Sequence, residues 1–418
     1  MYSHKVGNLL ILPEYNIKMQ ALFNNIKGDK LIWAIAALLA IFSFLPVYSA
    51  ASNLAYTGGN GNTFNYFVKH FMHLFLGFAI MYGVHKIPYR YFRGLSMIMI
   101  PVVLVLLAVT MLQPSEAESL TNARRWIKVP FVGFTFQPST LSSVVLMVYV
   151  ARYLSKIKDK NVSFTDTILP LWIPVFMVLA LILPANFSTT AIIFIMVVVL
   201  TFLGGYPLKY LAVIIGSGIM VLVLFVLTAR AFPDALPNRV DTWMSRVENF
   251  ANGEDTEADY QIEKAKIAIA SGGIRGLGPG KSKQKNFLPQ SSSDFIYAII
   301  IEEYGLIGGF FLMILYLWLL FRVVIVAQKA DTVFGKLLAL GVGLPIIFQA
   351  LINMAVAVEL FPVTGQTLPL ISSGGTSIWM TCLAIGIILS VSARRQEIKE
   401  KTTTTKDVNP LEILSETL

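Results

Sequence analysis

Asp294 is a carboxylate that stands where a polar, cation-rich loop runs into a long apolar segment. The loop before it carries Lys281, Lys283 and Lys285 within five residues. A carboxylate at the edge of a low-dielectric region is a stronger base than one in water, and nearby cations attract phosphate groups. The pattern predicts general-base chemistry on an anionic lipid. The simpler interpretation is that Asp294 caps the helix that follows, where negative charge is stabilised.

The glycines before these lysines, in the segment GLGPGKS at 276–282, come close to a phosphate-binding P-loop. That motif requires glycine at position 275, where this chain has Arg275, and it requires a buried strand before the loop. Nucleotide binding is therefore not expected. The glycines instead offer backbone that approaches a ligand closely, and the alternative is a solvated flexible loop.

A second group of cations, Arg124 and Arg125, precedes Trp126 in a short loop. A tryptophan ring favours the headgroup depth of a membrane, and guanidinium groups bind phosphate oxygens in pairs. Phosphate binding is one interpretation of this loop. The other is that the two arginines pair with loop acids or extend to the membrane surface.

Glu302 and Glu303 are rare charges inside the apolar segment that follows Asp294. On a helix, Glu302 would lie about 12 Å along the axis from Asp294 and be turned by about 80°. This separation is too large for a glycosidase-type pair of carboxylates. We therefore predict structural contacts between helices for one or both glutamates, and a helix-to-helix hydrogen bond for Asn353.

Composition identifies the class of protein in which these residues lie. Of the 418 residues, 56% are apolar and 14% are charged, and the mean hydropathy of +0.68 exceeds what a soluble core requires. A bilayer core needs about 20 apolar residues per helix. The sequence predicts an all-α polytopic membrane protein with about ten transmembrane helices. The apolar runs lie near residues 31–49, 65–84, 93–112, 137–155, 166–184, 188–204, 207–229, 296–327, 334–358 and 371–391. The eighth run is too long for one span, so a re-entrant or partly exposed start is expected there.

The distribution of Lys and Arg predicts that both termini lie in the cytoplasm, because short cytoplasmic loops retain positive charge. We expect a cytoplasmic N-terminal segment at 1–29 and a transmembrane domain at 30–393, with a large external loop at about 230–293. A disordered cytoplasmic tail is expected at 394–418. The net charge of +9 reflects this bias and an attraction to anionic lipid, and no nucleic-acid partner is expected.

Disulfide and metal chemistry are not indicated by the residues. Cys382 is the one cysteine and cannot form an internal disulfide. His70 and His73 share a helix face but have no further clustered ligand. No dedicated metal site is therefore predicted.

The order of motifs along residues 31–395 resembles the SEDS (shape, elongation, division and sporulation) family. The resemblance rests on NARRWI, QPS, QKNFLP, SDFIYAIIIEEYGLIGG, FPVTG and LPLISSGGTS. The ARRWI and LPLISSGGTS motifs are more similar to the division branch, FtsW, than to the elongation branch, RodA. The resemblance implies a ten-helix enzyme of the cytoplasmic (inner) membrane, with its active site on the extracytoplasmic face, at the division septum.

The activity that the resemblance implies is peptidoglycan glycosyl transfer. The substrate would be lipid II, an undecaprenyl-pyrophosphate-linked disaccharide peptide, which the enzyme polymerises into glycan strands. The implied partners are a class B penicillin-binding protein transpeptidase, which crosslinks the product, and other divisome proteins.

The resemblance also implies a role for each matching residue. Asp294 would be the catalytic base that deprotonates the attacking sugar hydroxyl, so that undecaprenyl pyrophosphate leaves with inversion. A divalent cation, Mg²⁺ or Mn²⁺, is implied by family analogy, and no other cofactor is. The substrate-binding residues would be the cations that stabilise the pyrophosphate and two residues that shape the cavity: Arg124, Arg125, Lys285, Arg246, Lys281, Ser373 and Gly374.

Three positions depart from the family pattern. Thr140, Asn186 and Gln290 stand where the family motifs QPSE, PDFGT and LPE have acids. Asp294 is kept, so the implied base remains while any role of the other acids is placed in doubt.

Other functions stay open alongside glycosyl transfer. A transporter that moves lipid II across the membrane would explain the spans and cations, but it needs no carboxylate at the external end of span eight. A scaffold that recruits division enzymes would tolerate neutralisation of Asp294. An elongation polymerase of the RodA type would share the chemistry and differ in location.

Overall fold

The computed structural model describes residues 26–57, 63–113, 125–128, 135–158, 160, 162–231, 244, 257–288 and 291–407. Almost all of these residues are helical. In chain order the helices are α1 (Lys30–Thr57), α2 (Thr63–His85), α3 (Arg90–Leu112), α4 (Pro138–Ile157), α5 (Phe164–Ile182), α6 (Phe187–Leu203), α7 (Leu208–Ala231), α8 (Glu257–Gly272), α9 (Ile296–Gln328), α10 (Val333–Ala357) and α11 (Gly375–Asp407). Two short strands, β1 (Ile127–Lys128) and β2 (Thr135–Phe136), pair antiparallel between α3 and α4.

The helices confirm the all-α polytopic class. Within the described ranges, nine helices are long and apolar enough to cross a membrane, and α6 is a shorter apolar helix of 17 residues. Each of the ten predicted runs coincides with one of these helices. α5 reaches the length of a span through one π-helical turn at Ile168–Trp172.

α10 lies at the centre of the helical domain and packs against α4, α6, α9 and α11. α11 packs along α2, and α3 along α4. α7 is different, because it packs mainly on α6 and buries only Leu211, Ile214 and Ala229. The packed core therefore consists mainly of α4, α9, α10 and α11, and the apolar outer face of α7 is suited to contact with lipid.

One end of the helical domain is tied together around Asp29. Its carboxylate accepts a hydrogen bond from Arg322, near the end of α9, and Ser392 Oγ of α11 accepts one from its backbone N–H at 2.8 Å. The start of α1 thus lies at the same end of the domain as the C-terminal halves of α9 and α11. This arrangement agrees with the charge pattern that predicts one side for both ends of the chain.

α9 is long because two helical segments join at Gly305. Gly305 has φ of 71°, a left-handed conformation that glycine adopts without the steric penalty of a side chain. Residues 296–303, before the interruption, are all buried. Of the two starts expected for this run, the partly exposed one is therefore wrong, whereas the re-entrant one stays a prediction. The extra length is absorbed by a break in the helix, inside the protein.

The large loop contains ordered structure in the part that the structure describes. α8 and a 3₁₀ turn at Gln284–Asn286 lie between α7 and α9. At the other end of the chain, α11 continues to Asp407, so residues 394–407 are helical where the sequence predicted a disordered tail, and residues 408–418 of that tail lie outside the described residues. Arg394 and the Gln, Glu and Lys residues that follow are good helix formers, and extending an existing helix requires no new nucleation.

Candidate functional site

The segment that carries the lysines, residues 272–286, is seated on the break in α9. Leu277 N and Gly278 N donate to the carbonyl oxygens of Glu302 and Glu303, each at 2.9 Å. Leu306 N donates in return to Gly273 O at 2.9 Å. The loop therefore uses backbone groups that the interrupted helix leaves unpaired.

Glycine is required where the two backbones approach. A Cβ on Gly276 would overlap the carbonyl of Glu303 and lie 2.5 Å from Gly305 N. A Cβ on Gly272 would lie 2.8 Å from the Cα of Glu302. These glycines permit a close approach to α9, whereas the sequence predicted an approach to a ligand.

Glu302 anchors the loop through its side chain. It is fully buried, and its carboxylate accepts hydrogen bonds from Ser282 Oγ, from Lys283 N at 3.0 Å and from Gln284 N at 3.3 Å. These donors all belong to the loop. The prediction of a structural role for Glu302 is confirmed: besides these contacts with the loop, Ser271 Oγ of α8 donates to its carboxylate at 3.4 Å, which is a contact between helices.

Glu303 has a second set of partners, which includes the first helix. Ser49 Oγ on α1 donates to its carboxylate, and Ser282 N donates at 3.3 Å. Lys285 Nζ donates to the same Ser49 hydroxyl at 3.2 Å and to Gly280 O at 2.9 Å. The structure thus places Lys285 in a cluster with Glu303 and Ser49.

Asp294 lies in a turn immediately before α9 and is half-buried. α9 begins at Ile296, and Phe295 occupies the N-cap position without a side-chain cap, so Asp294 lies one residue before the N-cap. Ser292 O, two residues earlier, accepts from Ser373 N and Ser373 Oγ, each at 3.0 Å. The turn that carries the aspartate is therefore fixed to the residues before α11.

Asn353 holds the backbone of Asp294 from the other side. Its Nδ2 donates to Asp294 O and to Gln366 O, each at 2.7 Å, and the residue is 1% exposed. Gly365 is close by, because a Cβ there would lie 3.5 Å from Asp294 Oδ2. Asn353 was predicted to bond another helix; the predicted partner is wrong, since the amide joins two loops.

Asp294 and Arg125 are linked through Asn353, Gln366 and the residues at the start of α6. Gln366 Nε2 donates to Thr189 Oγ1 at 3.1 Å, at the start of α6. In the turn before α6, Ala185 O accepts from Arg125 Nε at 2.9 Å. The described part of the ARRW motif and the loop aspartate therefore belong to one connected region.

The other predicted substrate-binding residues have varied positions. Arg124 and Arg246 lie outside the described residues. Ser373 is bonded to Ser292, and Gly374 follows it directly before α11. Lys281 is exposed, with its aliphatic chain 3.4 Å from where a Cβ on Gly278 would lie.

Three residues of the region were not singled out from the sequence: Ser49, Gln366 and Thr189. Serine and threonine are common in transmembrane helices, where they form hydrogen bonds with the helix backbone, so the residue type alone does not indicate a site residue. Gln366 directly follows the FPVTG motif, and this position could have indicated that it belongs to the site.

Metal ligands are not clustered in the described ranges, which contain no group of three or more His, Cys, Asp or Glu that would hold an ion. His70 Nε2 is bonded to Ser43 Oγ at 2.8 Å, and His73 packs edge-on against Trp379. The described residues therefore do not fit a protein-built metal cage. An ion at this site would depend on oxygens of the substrate.

Comparison with known proteins gives a match over the whole helical domain. The FtsW/RodA/SpoVE family model, described as cell cycle protein, matches residues 29–397. A protein from Geobacter sulfurreducens, named probable peptidoglycan glycosyltransferase FtsW, is 33% identical over 369 residues, which are 88% of this chain and 95% of the relative.

Solved structures share the fold. One of them is described as structural coordination of polymerization and crosslinking by a peptidoglycan synthase complex. Its TM-score with this chain is 0.69 at 25% identity, and the match covers 88% of this chain and 98% of the other. The rod shape determining protein RodA of Thermus thermophilus has a TM-score of 0.62 at 22% identity, over 88% of this chain and 97% of its own.

Proposed function

Because this chain belongs to the FtsW/RodA/SpoVE family of cell cycle proteins, we propose that it is a peptidoglycan glycosyltransferase that polymerises lipid II during septal wall synthesis, with Asp294 as the general base. The active site would lie on the extracytoplasmic face of the cytoplasmic membrane. The cation distribution supports this orientation, and the contacts of Asp29 support a shared side for both ends of the helical domain.

The observation that carries the proposal is the way in which Asp294 is held. Asn353 fixes its carbonyl, Ser373 fixes the turn before it, and Gly365 leaves room beside its carboxylate. A general base must be positioned within hydrogen-bond reach of the proton that it removes. Restraint from two sides supplies that positioning before the substrate binds.

In the proposed reaction, the Asp294 carboxylate accepts the proton of the GlcNAc 4-hydroxyl at one chain end. The hydroxyl oxygen then bonds to the MurNAc C1 of the other substrate. The bond between C1 and the pyrophosphate oxygen breaks, and the configuration at C1 inverts. Undecaprenyl pyrophosphate leaves with the electron pair of that bond.

The leaving group gains negative charge as its bond breaks, so cations fixed nearby stabilise the transition state more than the ground state. Arg125 and Lys285 are the described cations suited to this task, since protein groups hold both in place. We assign Arg124, Arg246 and Lys281 to the same substrate on the motif pattern. Ser373 and Gly374 would shape the cavity.

A divalent cation, Mg²⁺ or Mn²⁺, would enter with the substrate on its pyrophosphate oxygens. Mg²⁺ keeps several waters and commonly binds through substrate phosphates and one or two carboxylates. As partner we propose a class B penicillin-binding protein, acting with other divisome proteins. The likeness to a peptidoglycan synthase complex that coordinates polymerization and crosslinking supports this partner.

The test is polymerisation of fluorescent lipid II by the purified full-length protein, with and without the partner transpeptidase. Asp294→Asn keeps the shape of the side chain and removes the base, so we expect the rate to fall by about 10²–10⁴-fold. Asp331→Asn is the matched control, because Asp331 is exposed in the connection between α9 and α10. It should polymerise at the native rate.

Each alternative function has its own outcome in this experiment. Polymerisation by Asp294→Asn at the native rate would show that the base is another residue. A native protein that makes no polymer but moves lipid II across sealed vesicles would be a transporter. Normal septal wall synthesis in cells that carry only Asp294→Asn would favour a scaffold.

A further inference from the structure

Lys285 is anchored by a residue that lies 236 positions away in the sequence. Its ammonium donates to Ser49 Oγ at 3.2 Å, and the Ser49 hydroxyl donates in turn to Glu303 Oε1. Ser49 is 3% exposed and Glu303 is 1% exposed. The loop lysine is therefore connected to a buried carboxylate through the first transmembrane helix.

The charges in this cluster account for its arrangement. A buried carboxylate is costly unless donors and an opposite charge compensate it. Glu303 receives donors from Ser49 and from the backbone of Ser282, and the charge of Lys285 acts on it electrostatically. The carboxylate in turn favours a conformation in which the lysine side chain points toward α1.

Docking of the loop does not depend on this serine, because the loop backbone has its own attachments. Glu302 binds the backbone of Lys283 and Gln284, and Leu277 and Gly278 pair with the broken helix. Glu302 thus holds the loop, whereas Ser49, together with Gly280 O at 2.9 Å, holds the side chain of one loop residue.

We propose that Ser49 is a positioning residue for glycosyl transfer, which together with Glu303 fixes the Lys285 ammonium for the pyrophosphate of the lipid-linked substrate. The inference rests on the proposed function, in which Lys285 is a ligand of that pyrophosphate. A lysine side chain has a flexible four-carbon stem, and ordering it beforehand lowers the entropy lost when substrate binds. The first helix thereby contributes to a site whose other groups lie on later elements.

A double-mutant cycle on lipid II polymerisation tests this connection. We expect Ser49→Ala to lower kcat/KM about 3–10-fold, as for the loss of one hydrogen bond, and Lys285→Ala to lower it about 10–100-fold. If Ser49 acts through the lysine, the double variant will be no worse than Lys285→Ala alone. Ser52→Ala is the matched control on the same helix, since its hydroxyl bonds only the carbonyl of Ser49 among the contacts observed, and it should retain native kinetics.

A second measurement reads the position of the ammonium without requiring activity. The rate at which an acylating reagent modifies Lys285 in the full-length protein is followed by mass spectrometry, with Lys281 and Lys283 as internal standards. We expect Ser49→Ala to accelerate modification of Lys285 several-fold relative to the two standards, because a released side chain is more accessible. Ser52→Ala should leave the three rates in their native ratio.

The outcomes separate the positioning role from the proposed function. Losses that add fully in the double variant, native kinetics for Lys285→Ala, or an unchanged Lys285 modification rate in Ser49→Ala would each overturn the positioning role. A native protein without polymerising activity would refute the proposed function and the catalytic part of this inference. The modification rates would still decide whether Ser49 anchors Lys285.

Discussion

Replacing Gly276 by alanine should release the lysine-bearing loop from α9. Gly276 has φ of 78°, and a Cβ there would overlap the Glu303 carbonyl and lie 2.5 Å from Gly305 N. These neighbours are backbone atoms, which cannot turn aside as a side chain would. The overlap can be relieved only if the loop and the broken helix move apart.

The magnitude follows from two costs that can be separated. A left-handed conformation costs an alanine about 1–2 kcal/mol, and overpacking against fixed atoms adds about 1–3 kcal/mol. Gly280 is the matched control, since its φ is 76° and a Cβ there would meet nothing within 4 Å. Gly280→Ala therefore incurs only the first cost. A difference of about 1.4 kcal/mol between the two variants corresponds to about tenfold in the ratio of docked to undocked loop.

Hydrogen exchange measured by mass spectrometry on the purified protein reports this ratio. The informative amides are Leu277, Gly278 and Leu306, which pair the loop with α9. We expect them to exchange at least about tenfold faster in Gly276→Ala than in Gly280→Ala, and polymerisation to fall in parallel. Equal exchange in the two variants would refute the argument that backbone contact fixes the loop, and would leave φ as the sole requirement for glycine.

Two further substitutions test the supports of the site. Asn353→Ala removes the donors to the carbonyls of Asp294 and Gln366, so we expect a loss of about 2–4 kcal/mol in the free energy of unfolding and a lower polymerisation rate. Asn353→Asp has nearly the same shape but no donor, so it should be at least as damaging. An Asn353→Asp protein with native stability and rate would contradict this account. Asn186 Oδ1 accepts a hydrogen bond from Thr189 N at the start of α6. Asn186→Ala should therefore lower the free energy of unfolding, measured in a thermal melt, by about 1 kcal/mol. Asn186→Asp keeps an acceptor and should melt as the native protein does.

Much of the fold was predictable because the signal for a transmembrane helix is local. Each span requires only a run of apolar residues of the right length, and every predicted run coincides with a helix. The structural role of Glu302 and Glu303 was predictable for a similar reason, since helix geometry separates them from Asp294. The break at Gly305 was not predicted, because glycine is frequent in transmembrane helices and the residue type alone does not show that the backbone is left-handed there.

The sequence by itself determined that the chain is a helical membrane protein, and it identified the aspartate and the cations from their types and motif order. The tertiary structure decided which of these groups meet. Ser49 reaches Lys285 across 236 positions, and Asn353 reaches Asp294 across 59. Hydropathy records only the local preference of each segment for lipid or water, whereas these hydrogen bonds depend on how the helices pack and turn against one another. A serine, an asparagine and a glycine therefore acquire their roles only when the break in α9 brings the loop, the first helix and the core together.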